Sequence, residues 1–347
     1  MGDPIRVLLV DDSSLARSML RSILEEDGGF EIVAEAANGR EAVALVRELR
    51  PELVTMDLEM PVMDGLEAIE EIMCSKAVPI LVVSGVADAQ KAYAAVSRGA
   101  IEVVGKPGLT PAEAADFVDK ARLVSKIPVI THPRARTAPP PPPAAGTSRP
   151  VAAPATVNPR IIAIASSTGG PQALAEILGK LPAGLGCPVV VAQHIADGFA
   201  AGMADWLCTV SPVPVRLGVD GELLVPGTVV LSPSETNMTV TPSRRIALAP
   251  RIAGQVYRPS CDALLASVAA ACGRDSVGVI LTGMGSDGVK GMEAIRAAGG
   301  MTLAQDEGSS VIFGMNAIAI DKGWVQKVLP LDELARALAQ LGQGVPA

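Results

Sequence analysis

The sequence is poor in aromatic residues and in basic charge, and these shortages exclude several classes of protein. Aromatic residues make up 2% of the 347 residues, and the formal net charge is −8. A nucleic-acid-binding surface needs a basic face with stacking aromatics, so no nucleic acid partner is expected. No run of 18 apolar residues occurs, and the amino terminus lacks the basic and apolar regions of a signal peptide. We therefore expect no membrane insertion and a cytoplasmic location.

Cysteine and histidine are also scarce. The five cysteines are scattered and show no CxxC spacing: Cys74, Cys187, Cys208, Cys261 and Cys272. That pattern predicts buried free thiols rather than disulfides or a zinc site. There are only two histidines, His132 and His194.

Proline is abundant in one segment, which divides the chain. Ten of the 32 residues from Pro128 to Pro159 are proline, and none is aromatic. Such a segment cannot bury enough apolar surface to fold, so we predict an extended tether, with a docking motif for another protein as the alternative. The predicted parts are a first domain at 1–125, a linker at 126–157 and a second domain at 158–347. Two domains suit a chain of this length.

The first domain alternates short apolar runs with amphipathic stretches. Helical spacing occurs at 14–26, 40–50, 66–75 and 87–98. The predicted strands are IRVLLVDD, EIVAEA, LVTMD, PILVVSG and IEVVGKP. Five βα units predict an α/β domain with a doubly wound parallel sheet, whose polar groups gather at the carboxyl ends of the strands.

Those strand ends carry five polar side chains: Asp11, Asp12, Asp57, Ser84 and Lys106. Three carboxylates in one crevice repel each other unless a cation joins them, and a divalent ion with oxygen ligands, Mg²⁺, meets that need. One carboxylate could then attack a phosphoryl group while Mg²⁺ and Lys106 neutralise its oxygens. A single strand-end aspartate could instead be a helix cap.

The motifs LLVDDSSLARSML, TMDLEMPVMDGLEA, LVVSG and GKP resemble the response-regulator receiver domain, which is flavodoxin-like. The resemblance implies that Asp57 is phosphorylated. It implies that Asp12, Asp57 and the backbone carbonyl of Glu59 hold Mg²⁺, with Asp11 acting through water. Ser84 then matches the switch hydroxyl, and Lys106 the lysine that pairs with the phosphate.

The sequence pattern of the second domain also predicts a doubly wound parallel sheet. Its predicted strands are 160–166, 188–194, 228–233 and 276–283. Helices are predicted at GPQALAEILGKL, CDALLASVAAACG, GVKGMEAIRAAG and LDELARALAQL.

The stretch SSTGG follows the first of these strands and has three possible explanations. It matches neither GxGxxG nor GxxxxGK[ST], which argues against a phosphate cradle. Ser167 or Thr168 could cap the next helix, or Ser167 could be a nucleophile.

The other strand ends supply partners for a nucleophile. His194 ends one predicted strand, and Asp287 follows another, so both fall at the sheet edge that carries Ser167. His194 would act as the base, and Asp287 would orient it, while backbone amides near Gly169, Gly170 and the TGMGSDG turn hold the oxyanion. A structural histidine and a helix-capping Asp287 remain the alternative.

The motifs AIASSTGG, QH, YRPSCDALL, LTGMGSDGVKGM and AQDEGSSVIFGM resemble the CheB family of chemotaxis protein-glutamate methylesterases. The resemblance implies a catalytic triad of Ser167, His194 and Asp287, with Thr168 and Met284 lining the site and no cofactor there. It implies hydrolysis of glutamate methyl esters on chemoreceptors, deamidation of receptor glutamines, and a chemotaxis-type histidine kinase as phosphodonor. We expect a monomer.

The chain departs from the family pattern at three places. Ile195 and Ala196 stand where Met-Pro is common, Asn237 where histidine is usual, and Asn316 where proline is usual. None of these residues is a triad member, so the changes bear on which receptors are recognised.

The fusion of a receiver to a hydrolase predicts regulation. We expect the unphosphorylated receiver to pack over the Ser167 edge, and phosphorylation of Asp57 to shift the Ser84 region and open the site. Two rivals stay open: an adaptor that binds receptors without turnover, and a general hydrolase of small esters with a deep apolar pocket.

Overall fold

A computed structural model of the protein describes residues 3–85, 89–108, 110–129, 160–251, 255 and 257–343. Most of the predicted linker, including His132, lies outside these residues. The domain boundaries at 125 and 157 therefore stay predictions.

The first domain is a five-stranded parallel sheet with alternating helices, as predicted. In chain order the elements are β1 (Ile5–Val10), α1 (Ser14–Asp27), β2 (Phe30–Ala36), α2 (Gly39–Leu49), β3 (Leu53–Met56), α3 (Gly65–Ser75), β4 (Ile80–Ser84), α4 (Ala89–Ser97), β5 (Glu102–Gly105) and α5 (Pro111–Ser125). The strand order is β2-β1-β3-β4-β5. Strands β1, β3 and β4 are mostly buried apolar runs, and the sequence pattern located all five strands.

The second domain contains a seven-stranded parallel sheet. Its elements are β6 (Ile161–Ser166), α6 (Gly170–Gly179), β7 (Val189–Gln193), α7 (Ala200–Val210), β8 (Val215–Leu217), β9 (Val229–Leu231), β10 (Thr236–Val240), β11 (Ile246–Pro250), α8 (Cys261–Cys272), β12 (Ser276–Ile280), α9 (Val289–Ala297), β13 (Met301–Gln305), α10 (Met315–Asp321), β14 (Lys327–Leu329) and α11 (Leu331–Gly342). The strand order is β14-β13-β12-β6-β7-β9-β8.

The prediction of a parallel α/β fold is confirmed, but that of the second domain was incomplete. The four predicted strands correspond to β6, β7, β9 and β12. The structure adds an antiparallel hairpin, β10–β11, which forms a separate two-stranded sheet. Strand β10 begins with two polar residues, and β11 is a short apolar run that ends in proline and is partly exposed, so neither has the pattern of a buried sheet strand.

The two domains share one apolar cluster. The ring of Tyr93 on α4 stacks on that of Trp206 on α7, with centroids 5.8 Å apart. A Cβ atom added to Gly105 of β5 would lie 3.7 Å from the ring of Phe199. Tyr93 is buried in a cluster that includes core residues of both sheets. The receiver therefore packs against the second domain through α4 and β5.

Two further predictions concern surfaces and thiols. Within the described part of the chain, none of the helices is long and apolar enough to cross a membrane. All five cysteines are free. Cys187 and Cys261 are buried as predicted, but Cys208 is exposed, because it lies on the solvent side of α7.

Candidate active site

The site lies where parallel strands of the second sheet end together. Ser166 is the last residue of β6 and pairs in register with Gln193, the last residue of β7. Ser167 and His194 follow them, and the amide of His194 donates to the carbonyl of Ser166 at 3.0 Å. Strand β12 lies on the other side of β6 and leads into the turn that carries Asp287. The structure thus brings the three predicted strand ends to one edge.

The two glycines after Ser167 are required by the shape of the turn. Gly169 has a φ of 76°, in the left-handed region that favours glycine. A Cβ atom on Gly170 would lie 2.0 Å from the Oε1 atom of Gln193. Helix α6 begins at Gly170, its N-cap is Gly169, and no side chain caps it. The alternative in which Ser167 or Thr168 caps this helix is therefore wrong.

Gln193 joins the loops that carry Ser167 and His194, and the sequence did not single it out. Its Oε1 atom accepts from the Ser166 hydroxyl at 2.6 Å. Its Nε2 atom donates to the carbonyls of Ser167 at 2.8 Å and of His194 at 2.9 Å. A buried amide that joins two strand ends in this way holds the Ser167 and His194 backbones at a fixed separation. The sequence signal that could have identified Gln193 is a polar residue at the end of an apolar strand.

His194 and Asp287 form a close ion pair. The Nε2 atom of His194 lies 2.8 Å from the Oδ2 atom of Asp287, and the two side chains are only 10% and 7% exposed. Burial raises the pKa of Asp287, but the hydrogen bond and charge of His194 and two backbone amides outweigh it, so the pKa is lowered. Asp287 is therefore ionised at neutral pH and accepts the hydrogen bond from the imidazole.

The amino terminus of α8 anchors the Asp287 carboxylate. Its Oδ2 atom accepts from the amide of Cys261 at 2.6 Å, and its Oδ1 atom from the amide of Asp262 at 2.9 Å. The hydroxyl of Ser260, the N-cap of α8, donates to Oδ1 at 3.2 Å. These amides lie at the positive end of the helix dipole, where a carboxylate is stabilised. Helix α9 is capped by Gly288, so Asp287 does not cap the helix that follows it, whereas its carboxylate does bind the first two amides of α8.

Two more side chains touch the imidazole. The Tyr257 ring stacks on it, with centroids 5.0 Å apart and an interplanar angle of 17°. The Sγ atom of buried Cys261 lies 3.4 Å from Nε2 of His194. Burial raises the pKa of this thiol well above its ordinary value, so it stays protonated beside the base.

The remaining pair of the predicted triad is Ser167 and His194. Nε2 of His194 faces Asp287, so Nδ1 is the nitrogen left for Ser167. Between these two described residues the structure has no hydrogen bond from the Ser167 hydroxyl to the imidazole. The role of Ser167 therefore stays a prediction that rests on its position at the sheet edge.

The backbone amides near Ser167 differ in what they bind. The amide of Gly170 donates to the Ser167 carbonyl at 2.7 Å, and that of Gly283 to the Ile312 carbonyl at 3.0 Å. Both amides are thus already occupied by backbone acceptors. Burial raises the pKa of Glu102, in the first domain, to about 7, and the Thr168 hydroxyl and the Gly169 amide oppose that rise. Met284 is half exposed at the rim of the site.

The second polar cluster lies in the receiver domain. The Nζ atom of Lys106 lies 2.7 Å from Asp11 and 3.1 Å from Asp57. Oxygens of Asp11, Asp12 and Asp57 all lie within 4.8 Å of one another. Burial raises the pKa of Asp57, and the charge of Asp11 raises it further. This grouping of carboxylate oxygens, which repel one another, fits a hard divalent cation such as Mg²⁺.

Two other predicted residues lie around this cluster. The Ser84 hydroxyl is buried and lacks a hydrogen-bond partner among the described residues. It is therefore available to a group added at Asp57. Glu59, whose backbone carbonyl is a predicted ligand, forms an ion pair through its side chain with Lys91 of α4.

Comparisons with known proteins agree with these two sites. Residues 162–338 match the model of the CheB methylesterase family, and residues 7–118 match that of the response regulator receiver domain. A protein-glutamate methylesterase/protein-glutamine glutaminase of Paramagnetospirillum magneticum is 69% identical over 344 residues, covering 97% of this chain and 96% of its own. One from Myxococcus xanthus is 43% identical over 346 residues, covering 97% and 94%. The crystal structure of the Thermotoga maritima CheB methylesterase catalytic domain, 34% identical, covers 53% of this chain and all of its own with a TM-score of 0.51.

Proposed function

The chain belongs to the CheB methylesterase family and carries a receiver domain, and on that basis we propose that it is a phosphorylation-activated serine hydrolase of chemoreceptors. It would convert glutamate methyl esters to glutamate and methanol, and receptor glutamines to glutamate and ammonia. The observation that carries the proposal is the buried His194–Asp287 pair, held at the sheet edge beside Ser167.

The residues have distinct chemical roles in this reaction. His194 takes the proton of Ser167 as its hydroxyl oxygen attacks the ester carbonyl, and then gives that proton to the departing methoxide. Water next attacks the acyl-enzyme with His194 again as base, which releases glutamate and restores Ser167. Asp287 stabilises the imidazolium in both steps. The Gly169 amide and the Thr168 hydroxyl are the donors proposed for the oxyanion.

Regulation would begin at the carboxylate cluster of the receiver. Asp12, Asp57 and the Glu59 carbonyl would hold Mg²⁺, with Asp11 acting through water, and the ion would neutralise the oxygens of the incoming phosphoryl group. A phosphoryl group on Asp57 would engage Lys106 and the buried Ser84 hydroxyl. The shift of Ser84 and of the adjacent α4 would then loosen the contact of α4 with α7. We propose a histidine kinase as the phosphodonor in cells.

Methanol release from methylated receptor cytoplasmic fragments tests the activity. The assay would compare enzyme with and without a small phosphodonor and Mg²⁺, alongside Ser167→Ala and Asp57→Asn. We expect release that rises with phosphodonor, vanishes in Ser167→Ala and does not respond in Asp57→Asn. If wild-type enzyme bound the fragments without releasing methanol, the adaptor interpretation would replace the hydrolase.

Fluorescence gives a second readout of regulation. Trp206 and Trp324 are the two tryptophans. In a Trp324→Phe variant, Trp206 alone reports on its stack with Tyr93. We expect phosphodonor to increase quenching of Trp206 by acrylamide, and Asp57→Asn to remove that response. Cell fractionation and sedimentation would test the predicted cytoplasmic location and monomeric state.

A further inference from the structure

A cysteine thiol lies against the His194–Asp287 pair, and the proposed reaction gives it no task. Cys261 is the first residue of α8 and is fully buried. Its backbone amide binds Asp287, but any residue except proline would supply that amide. Its Sγ atom lies 3.4 Å from Nε2 of His194 and 3.4 Å from the carbonyl of Ala192. A buried cysteine is often only a small apolar group, but this sulfur contacts the catalytic imidazole directly.

Three donor atoms of different kinds meet at this place. The Oδ2 atom of Asp287 lies 2.8 Å from Nε2 of His194, and the ligand atoms of both residues and of Cys261 all lie within 4.8 Å of one another. Zn²⁺ binds sulfur at about 2.3 Å and nitrogen or carboxylate oxygen at about 2.0–2.2 Å, so its tetrahedral ligands are about 3.3–3.6 Å apart. The sulfur–nitrogen distance already has this length. The contact of His194 with Asp287 would need to lengthen by only about 0.5 Å.

The chemistry of the three donors selects the class of ion. A thiolate and an imidazole suit zinc and similar borderline-soft cations, whereas Mg²⁺ prefers the oxygen ligands of the receiver cluster. Three protein ligands leave the fourth tetrahedral position to water. Sequence spacing does not mark this set, because Cys261 stands 67 residues after His194 and 26 before Asp287. An ion would first meet the imidazole, the most exposed of the three side chains.

A metal ion on Nε2 would disable the base. In the metal-free pair Nε2 faces Asp287, and Nδ1 is the nitrogen left for Ser167. The metal would take the lone pair of Nε2, so the ring proton would move to Nδ1, while the thiol proton of Cys261 would leave to solvent. Nδ1 could then no longer accept the proton of Ser167. The ion would also hold the carboxylate oxygen that otherwise stabilises the imidazolium.

We propose that His194, Cys261 and Asp287 form an inhibitory zinc site, which turns the hydrolase off by a route separate from the receiver. The inhibition rests on the proposed function, because it acts on the base of that reaction. Metal binding itself does not depend on the reaction, so it is measured separately.

Cobalt absorption tests the site without any assay of activity. Co²⁺ takes the same ligands as Zn²⁺ and, when bound to a thiolate, gives charge-transfer absorption in the near ultraviolet. The full-length protein would be titrated with CoCl₂ in excess Mg²⁺, which competes for the receiver cluster, whose oxygen ligands give no thiolate band. We expect the band in wild type and in Cys208→Ala, the matched control with an exposed cysteine on α7, but not in Cys261→Ala. Absence of the band in wild type, or its survival in Cys261→Ala, would overturn the proposal.

Methanol release measures the consequence of binding. Free zinc at about ten times its dissociation constant leaves roughly one site in ten empty, so stimulated release should fall about tenfold and recover with a chelator. Each variant is compared with its own zinc-free rate, so a changed catalytic rate does not enter the comparison. Loss of an outer-sphere partner alone costs about 10–100-fold in metal affinity, so Cys261→Ala, which lacks a direct ligand, should need at least about 100-fold more zinc. Equal zinc sensitivity in Cys261→Ala and wild type would place the inhibition at another site and overturn the proposal.

Two further variants keep the outcomes distinct. Cys261→Ser preserves the size of the side chain but replaces sulfur with oxygen, so it should lose the thiolate band while the protein stays folded. Ser167→Ala should release no methanol yet keep the band, because Ser167 is not a ligand. Wild-type enzyme that shows the band but releases no methanol in zinc-free buffer would contradict the proposed function alone. Normal methanol release with zinc inhibition that does not depend on Cys261 would contradict the zinc site alone.

Discussion

Asp287 shows how the surroundings of a single residue determine its chemistry. Its carboxylate is nearly buried, yet two amides of α8, the Ser260 hydroxyl and His194 keep it ionised. The pKa of Asp287 is lowered, so its stabilising contribution is present at neutral pH and is lost only as the pH falls below the ordinary range of aspartate.

Asp287→Asn should therefore remove catalysis while largely keeping the fold. A neutral amide cannot stabilise the imidazolium and can orient the wrong tautomer, so we expect stimulated methanol release to fall roughly 10⁴-fold. The control is Asp321→Asn, an exposed residue at the end of α10. A fall of less than tenfold would show that His194 works without this carboxylate, and would remove Asp287 from the mechanism.

Thiol reactivity offers a separate test at the residue scale. Burial raises the pKa of Cys187 to about 11 and that of Cys261 well above its ordinary value. Cys208 is exposed. An aromatic disulfide reagent should label Cys208 rapidly in native enzyme, and Cys187 and Cys261 only after unfolding. Rapid native labelling of Cys261, read by peptide mapping, would mean that the site next to His194 is open.

The residues found from sequence and those missed differ in one respect. Ser167, His194 and Asp287 follow apolar strands, so the rule that parallel strands end together placed them at one edge. Gln193 also ends a strand, but its importance depends on which carbonyls its amide reaches.

At the scale of the element, the start of α8 contacts both Asp287 and the start of α9. The Ser260 hydroxyl accepts from the Ala263 amide at 3.2 Å and donates to Asp287 at 3.2 Å. Asp262, in the first turn, accepts from the amides of Gly288 and Gly291, both at 2.8 Å. The start of α8 thus positions both the catalytic carboxylate and the start of α9.

Ser260→Ala should weaken both the helix and the site. Loss of an N-cap costs about 1 kcal/mol of unfolding free energy. Loss of one donor to Asp287 should also lower stimulated kcat by up to about tenfold. Urea unfolding and methanol release would measure the two effects, and Ser260→Thr, which keeps the hydroxyl, should restore both. A loss of stability with unchanged kcat would mean that the Ser260–Asp287 contact plays no part in catalysis.

The strands and helices that were not predicted have weak hydrophobic patterns. Strand β14 has three residues, two of them exposed, and in the hairpin β10 begins with two polar residues while β11 is short and ends in proline. Helix α7 is apolar on several sides because one face meets α4 of the receiver. Its apolar pattern reflects the contact with α4 of the other domain, and the sequence of one domain alone does not show that contact.

At the scale of the whole molecule, the two domains share a buried face. The tether allowed them to be recognised from sequence but carried no information on how they meet. What joins them is apolar contact between α4 and α7, and burial raises the pKa of one acid of the first domain, Glu102. Apolar contact gives the interface strength that does not depend on pH, whereas the acid makes its stability depend on pH.

The pH dependence of regulation should therefore follow Glu102. In the closed arrangement its pKa is raised from 4.5 to about 7, chiefly by burial, while Lys120 of α5, Thr168 and Gly169 lower it. Glu102 thus contributes stability to the closed arrangement that is fully present below pH 4.5 and is lost as the pH rises through 7. Charged Glu102 favours opening, so basal activity should rise with pH.

The ratio of stimulated to basal methanol release isolates this effect, because any pH dependence of the chemical step itself acts on both activities. Between about pH 6 and pH 8 we expect the ratio to fall by up to about tenfold in wild-type enzyme. In Glu102→Ala the ratio should not change with pH over this range, since nothing titrates at that position. Lys120→Met should move the wild-type curve to higher pH, because it removes the cation that favours the charged form. A wild-type ratio that does not change with pH would mean that Glu102 carries the same charge in both arrangements.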